Sequence, residues 1–321
     1  MRTIVRRAVQ LIVVVIVVTF LTSILTSFLR GDPVTTIAPY SSAQQRQEIR
    51  DQLGLNQNVV ERYVKWLGHF ATGDLGHEYA GTGVTGLSIS SQVKTSLPHS
   101  LLLIFYVETL TLLLAVPLGV YTAYRAGKAS DNVANAVGFG LVSIPVYVAA
   151  TVMILIFSVN SWGIHLPSEG WVSLTSNPAQ HFSHLAMPVI AIAIGQIAIY
   201  ARLLRSDMVA TLQEDFILMA KSKGISNRRI LWRHALRPSS LTLVTIAGLN
   251  IGALISGALI VEVIFHLNGL GSVLQDAINR RQYVAIQDYV AVIAVVYVLI
   301  NFAVDALYRI LDPRIRSARI G

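Results

Sequence analysis

Long uncharged apolar stretches alternate with polar segments along the chain. The first runs from Ala8 to Leu29. Its 22 residues, wound as a helix at about 1.5 Å each, reach roughly 33 Å, enough for the hydrocarbon core of a bilayer. Five more follow. Pro98 to Tyr124 carries one charge, Glu108; Asn132 to Ser158, Leu185 to Ala201 and Leu241 to Val261 carry none; Tyr289 to Leu307 has Asp305 near its end. All are too long for strands, and lipid offers no partner to the open edge of a sheet, so each reads as a helix. The pattern predicts six spans, at about 8–29, 98–124, 132–158, 185–206, 238–262 and 289–310. Pro117 and Pro145 fall inside spans and predict bends, which serve either a pore-side turn or local packing.

Composition agrees with this pattern. Charged residues make up 13% of the chain and hydrophobic ones 54%, whereas a soluble domain carries about 25% charged residues. The arginines at 2, 6 and 7 ahead of an apolar run resemble a secretory signal. Signal h-regions, however, are only about 7–15 residues long, and no A-x-A site follows, so an uncleaved first span is expected. The net charge of +8 raises the question of nucleic acid, but its distribution answers otherwise. Lysine and arginine concentrate in alternate segments, 17 of the 25 on the side that holds both termini. By the positive-inside rule both termini are expected in the cytoplasm of a cell membrane protein, and the span number is even. There are no cysteines, which excludes disulfides, thiolate nucleophiles and Cys-based zinc sites.

Two segments exceed what a connector needs. Residues 31–97 mix helix-like polar sequence, Ser41 to Leu53 and Asn58 to His69, with Gly-rich turns from Gly73 to Gly86, and predict a small extracytoplasmic subdomain. Ser41 or Ser42 is placed to cap its first helix. The expected organisation is therefore an N-terminal helix (1–30), this subdomain (31–97), a five-helix core (98–310) with an inner loop at 207–237, and a cytoplasmic tail (311–321). In the inner loop, Glu214 and Asp215 begin a helix-like run where carboxylates favour the positive dipole end. Phe216, Ile217, Met219 and Ala220 supply an apolar face, and Gly224 stops the helix. Ser226 then stands before a second helix with Arg228, Arg229, Ile230, Trp232 and His234. Periodicity alone leaves this hairpin divided between binding anionic lipid and docking on a protein.

The stretch Ala220-Lys221-Ser222-Lys223-Gly224, then Arg228-Arg229-Ile230 and His234-Ala235-Leu236-Arg237-Pro238, resembles the cytoplasmic loop of binding-protein-dependent ABC importer permeases, in particular the oligopeptide, dipeptide and nickel branch. Other elements match in order: Gly31-Asp32-Pro33, Leu53-Gly54-Leu55, Gly73-Asp74-Leu75-Gly76, Glu262-Val263-Ile264-Phe265, Asn268-Gly269-Leu270-Gly271 and Asp312-Pro313-Arg314-Ile315. The resemblance covers nearly the whole chain. Two departures stand out: Leu218-Met219 replaces the Glu-Ala of the general loop pattern, and Thr242 lies near the place of a second proline. The resemblance implies an all-α polytopic fold of the type I importer permease. It also implies a second related permease, two cytoplasmic ATPase subunits that bind ATP and Mg, and an extracytoplasmic substrate-binding protein. No cofactor and no catalytic residue is then expected in this chain. Glu214, Asp215, Phe216, Ala220, Gly224, Arg228, Arg229 and His234 would form the contact with the ATPase. Peptides lead as substrate, with nickel, glutathione, haem or another small solute as alternatives.

The acids inside spans are the other candidates. A charge at mid-membrane costs about 2.5–3.5 kcal/mol on insertion scales, so Glu108 is expected to face the bundle interior or a wet cavity. It either meets a passing substrate or makes a structural hydrogen bond. Glu262 and Asp305 lie nearer span ends and are divided between substrate contact and loop anchoring. Other motifs carry little. Gly81 to Gly86 matches GxGxxG without a strand–helix context, and no G-x-x-x-x-G-K-[ST] exists to bind ATP. His181 and His184, with His165, read as polar surface rather than a metal site. A secondary transporter would need ionisable relays and inverted repeats, and only Glu108 is a candidate relay.

Overall fold

The computed structural model describes residues 2–28, 34–35, 38–79, 85–159 and 163–311, with side chains of 2–8, 52, 79, 85 and 305–311 outside the description. The elements Gly31-Asp32-Pro33 and Asp312-Pro313-Arg314-Ile315, and the first four residues of the Gly81 to Gly86 motif, therefore lie outside the described residues, as does the side chain of Asp305. Described residues are overwhelmingly helical, as the pattern predicts. Contacts divide the chain into two compact units, residues 1–100 with 266–302, and residues 101–265 with 303–321.

The first unit begins with helix α1 (Arg2–Ser27). Helix α2 (Ala43–Gln52) starts at a reciprocal cap: Ser42 Oγ accepts the Gln45 N–H, and Gln45 Oε1 accepts the Ser42 N–H. Of the two serines, Ser42 is the cap. Helix α3 (Val59–Ala71) opens on Asn58, whose side chain accepts the Val60 N–H. Tyr63 of α3 hydrogen-bonds Ile16 carbonyl and Thr19 hydroxyl of α1, both at 3.0 Å, and its ring meets Phe20 edge-on. The Gly-rich turns hold a feature the pattern does not announce, an antiparallel ribbon of β1 (His77–Tyr79) and β2 (Thr85–Ser88). Glu78 of β1 accepts a 2.9 Å bond from Tyr289 hydroxyl.

Helix α4 (Ile89–Tyr124) runs unbroken past Pro98 and Pro117 and starts nine residues ahead of the predicted span. The third predicted span is different. Helices α5 (Ala129–Val142) and α6 (Val146–Ile154, extended by a π-helical turn Leu155–Val159) meet at 94°. Pro145 stands at the N-cap of α6; it lacks an N–H and disfavours helical geometry at Ile144, so the helix breaks rather than bends there. Helix α7 (Pro178–Thr211) is longer than the predicted 185–206 at both ends. Helix α8 (Asp215–Ser222) follows, then a short turn α9 (Asn227–Arg229), a π-helical stretch Ile230–Ala235 and helix α10 (Leu236–Ile264). Helices α11 (Leu270–Asn279) and α12 (Tyr283–Leu311) complete the chain. Among the described residues, five helices are long and apolar enough to cross a membrane, with α9, the π-helical stretch and α10 counted as one, and the bent α5–α6 pair brings the number to six.

Within the second unit, α5, α6 and α10 pack on α7. At Gly119 of α4, an added Cβ would come within 2.9 Å of Ala201 carbonyl and 3.0 Å of Leu204 Cβ on α7, so the close approach requires glycine.

Candidate functional site

The segment between α7 and α10 is built as a rigid bracket. Helix α8 starts at Glu214, with Asp215 in its first turn. It ends on Lys223, and Gly224 follows at φ +73°. The Gly224 N–H reaches Lys221 carbonyl at 3.0 Å, and the Ile225 N–H reaches Ala220 carbonyl at 3.2 Å. These are the two bonds of a Schellman motif, and glycine meets the left-handed backbone without a Cβ penalty. Ile225 packs with Ala220 in the apolar core beneath, the contact that usually accompanies this motif.

The apolar positions of α8 divide between two sides. Ile217 and Ala220 are buried among Tyr200, Leu204, Met208, Ile230 and Ala235. Phe216, Leu218 and Met219 are exposed, at 46%, 55% and 58%. The sequence grouped Phe216 and Met219 with Ile217 and Ala220 on one face; the structure turns them outward. Lys221, Lys223, Arg228 and Arg229 are exposed around them, with Glu214 and Asp215 exposed at the start, and His234 half-buried in the π-helical stretch. Ser226 sits at the N-cap of α9 without a capping side-chain bond. The two ends of the bracket are joined where Ser239 of α10 hydrogen-bonds Thr211 of α7 at 2.9 Å.

Charge pairing beside this bracket was not legible in sequence. Asp131 of α5 is 1% exposed, and its two oxygens take Arg205 Nε at 2.5 Å and Nη2 at 2.6 Å. It also accepts the Gly127 N–H and the Asn135 amide, both at 2.9 Å. One turn from Arg205, Arg202 stacks its guanidinium 3.9 Å from the Phe139 ring. Two arginines that count toward the topology bias are thus internal fasteners of α5 on α7. The partners lie 74 residues apart, beyond any local pattern.

Two of the three acids predicted inside spans, Glu108 and Glu262, are buried. Glu108 of α4 is 9% exposed and accepts a long 3.4 Å bond from Tyr200 hydroxyl on α7. Glu262 near the end of α10 is 1% exposed, and Asp305 lies on α12 with its side chain outside the described residues. His181 is fully buried: one ring nitrogen donates to Val172 carbonyl at 2.6 Å, leaving the other to accept from Tyr106 hydroxyl at 3.1 Å. With both nitrogens engaged, it is a core histidine and has no lone pair free for a metal.

The long apolar helices and the capped, exposed short helix between two of them define a multi-span helical membrane protein. The family profile for the inner membrane component of binding-protein-dependent transport systems matches residues 115–317, and that for the N-terminal part of such components matches residues 1–95; the chain belongs to this family. It is a non-catalytic, multi-pass membrane subunit of an ABC importer. Similar proteins include a probable peptide ABC transporter permease, y4tP, of Sinorhizobium fredii, 33% identical over 98% of each chain. The oligopeptide transport system permease AppB of Bacillus subtilis is 32% identical over 97% of this chain and 98% of its own. The di/tripeptide transport system permease DppB of Pseudomonas aeruginosa is 31% identical over 90% and 91%. Among solved structures, the inward-facing MetNI methionine ABC transporter shares the fold, with a TM-score of 0.57 and 16% identity over 69% of this chain and 97% of that one.

Proposed function

We propose that this chain, paired with a second permease of its family, forms the path by which an ATP-driven importer moves peptides inward, and that α8 is its lever. Three similar permeases carry peptide, oligopeptide or di/tripeptide transport in their names, which supports peptides over nickel, glutathione or haem. One observation carries the lever: α8 exposes Phe216, Leu218 and Met219 while Ile217 and Ala220 anchor it from behind. Such an apolar patch in water signals a partner surface. ATP and Mg belong to two ATPase subunits, in whose grooves this patch and Glu214, Asp215, Arg228, Arg229 and His234 sit. Closure of the ATPases pulls α8, and the Schellman cap and the Thr211–Ser239 bond pass the motion to α7 and α10. An extracytoplasmic binding protein delivers the solute. The basic bias supports an orientation with both termini and α8 in the cytoplasm and residues 31–97 outside. Glu108, Glu262 and Asp305 are the candidates for solute contact within the spans.

The test is co-purification from mild detergent with the ATPase subunits. Wild-type chain is expected to retain them, and a Phe216→Ser/Met219→Ser variant to insert normally but lose them. Undiminished ATPase recovery with the variant would refute the docking role of this face.

A further inference from the structure

The first unit contains a cavity of about 350 Å³ that the transport mechanism above does not use. Its walls come from the end of α1, the α2–α3 segment, the turn before β1 and the start of α12. On its lining are two consecutive residues of α12, Gln287 and Asp288, which are 6% and 1% exposed. Asp288 Oδ1 accepts the Trp66 indole N–H at 2.8 Å, but Oδ2 has no partner among the described residues. Gln287 Nε2 is likewise buried without an acceptor. Buried polar atoms in native folds are almost always satisfied, so an orphaned acceptor and an orphaned donor on consecutive residues that line one cavity need an explanation. No basic side chain of the described residues pairs with Asp288. The opposite charge is available elsewhere on the lining, where Arg62 is partly buried. At the same cavity, His69 Nδ1 and Asp74 Oδ2 lie 3.4 Å apart, and both side chains are largely exposed.

We propose that this cavity is a binding site for a small zwitterionic amine, an α-ammonium group next to a carbonyl or carboxylate, seated on Asp288 and Gln287. With the Asp288 and Gln287 side chains turned from their closed positions into the cavity, the ammonium supplies the hydrogen that Asp288 Oδ2 lacks and the positive charge that makes a buried carboxylate tolerable. The adjacent carbonyl or carboxylate oxygen accepts from Gln287 Nε2, and Arg62 faces the remaining negative charge. Free amino acids and the amino termini of short peptides share this chemistry, and the volume admits either. The site lies in the unit that holds residues 31–97, whereas α8 belongs to the other unit, and it does not depend on which solute the transporter carries.

The experiment uses the full chain in nanodiscs, with Trp162, Trp171 and Trp232 replaced by Phe so that Trp66 reports alone. Alanine, alanyl-alanine and N-acetyl-alanyl-alanine are titrated, and calorimetry on the unsubstituted chain repeats the constants. Alanyl-alanine is expected to shift Trp66 emission, the acetylated form to leave it unchanged, and Asp288→Asn to weaken binding at least tenfold. Asn keeps the indole bond through its Oδ1 and removes the charge together with the second acceptor oxygen. Gln287→Ala, which leaves the carboxylate in place, is expected to weaken binding several-fold and keeps the test open if Asp288→Asn does not fold. Binding of free alanine identifies an amino-acid site, and binding of the dipeptide alone a peptide-terminus site. Absence of any Trp66 response, equal binding of the acetylated probe, or unaltered affinity in both variants would overturn the proposal.

Discussion

At the scale of residues, the Asp131–Arg205 pair shows how much rests on one contact. Asp131 is almost fully buried, and four donors converge on it from Gly127, Asn135 and Arg205. Truncating one partner of a fully buried pair costs roughly 3–5 kcal/mol, and the cost is smaller here because a quarter of the Arg205 side chain reaches solvent. Asp131→Ala is therefore expected to lower the thermal stability of the detergent-solubilised chain by less than that range. Arg205→Met together with Asp131→Leu, which leaves no lone charge, should lose less. A double variant as unstable as the sum of the singles would show that the two side chains do not act as a pair. None of this was legible in the sequence, where Asp131 sits just outside an apolar run and Arg205 adds to the basic count. By contrast, a cap for the first outer helix was readable as Ser41 or Ser42, because a cap bonds backbone only two or three residues away.

At the scale of elements, α8 is the part whose ends were predictable and whose sides were not. Glu214, Asp215 and Gly224 mark the ends through local electrostatics and backbone conformation, and the helix occupies Asp215–Ser222 accordingly. Which apolar residues face outward is set by the core beneath, so Phe216 and Met219 parted from Ile217 and Ala220 only in three dimensions. Gly224→Val puts a β-branched residue at φ +73°, a conformation such side chains avoid. We expect this variant to insert and assemble while ATP hydrolysis continues without uptake, measured in parallel on proteoliposomes of the whole transporter. Fully coupled uptake would show that the left-handed cap is not needed to transmit motion. The break between α5 and α6 was visible as a proline inside a span, but its size, 94°, was not. Pro145 removes a helix hydrogen bond and disfavours helical geometry at Ile144, which weakens the helix there, although Pro98 and Pro117 sit in an unbroken one; packing against α7 goes with the new direction.

At the scale of the whole molecule, the placing of lysine and arginine argues for orientation, and the absence of cysteine makes that easy to test. Single cysteines introduced at exposed positions Leu87 and Met219 can be labelled in intact cells with a membrane-impermeant maleimide. Leu87→Cys is expected to label from outside, and Met219→Cys only after the membrane is opened. The reverse order would invert the topology and remove α8 from the reach of a cytoplasmic ATPase.

The amino-acid sequence by itself determined the properties that local chemistry controls. Apolar length made the spans, basic residues in alternate segments suggested their direction, and the Gly224 stop and the Ser41–Ser42 cap signal marked where helices end and begin. The family was also legible, because short motifs survive in order along the chain. Tertiary structure alone decided what depends on distant residues meeting. It buried Asp131 against Arg205, gave Glu108 to Tyr200, and engaged both nitrogens of His181. It also opened a cavity onto Asp288 and Gln287. The reason is physical: a cap or a span is stabilised by neighbours within a turn or by lipid, whereas a buried charge is stabilised only by whatever the fold brings to it.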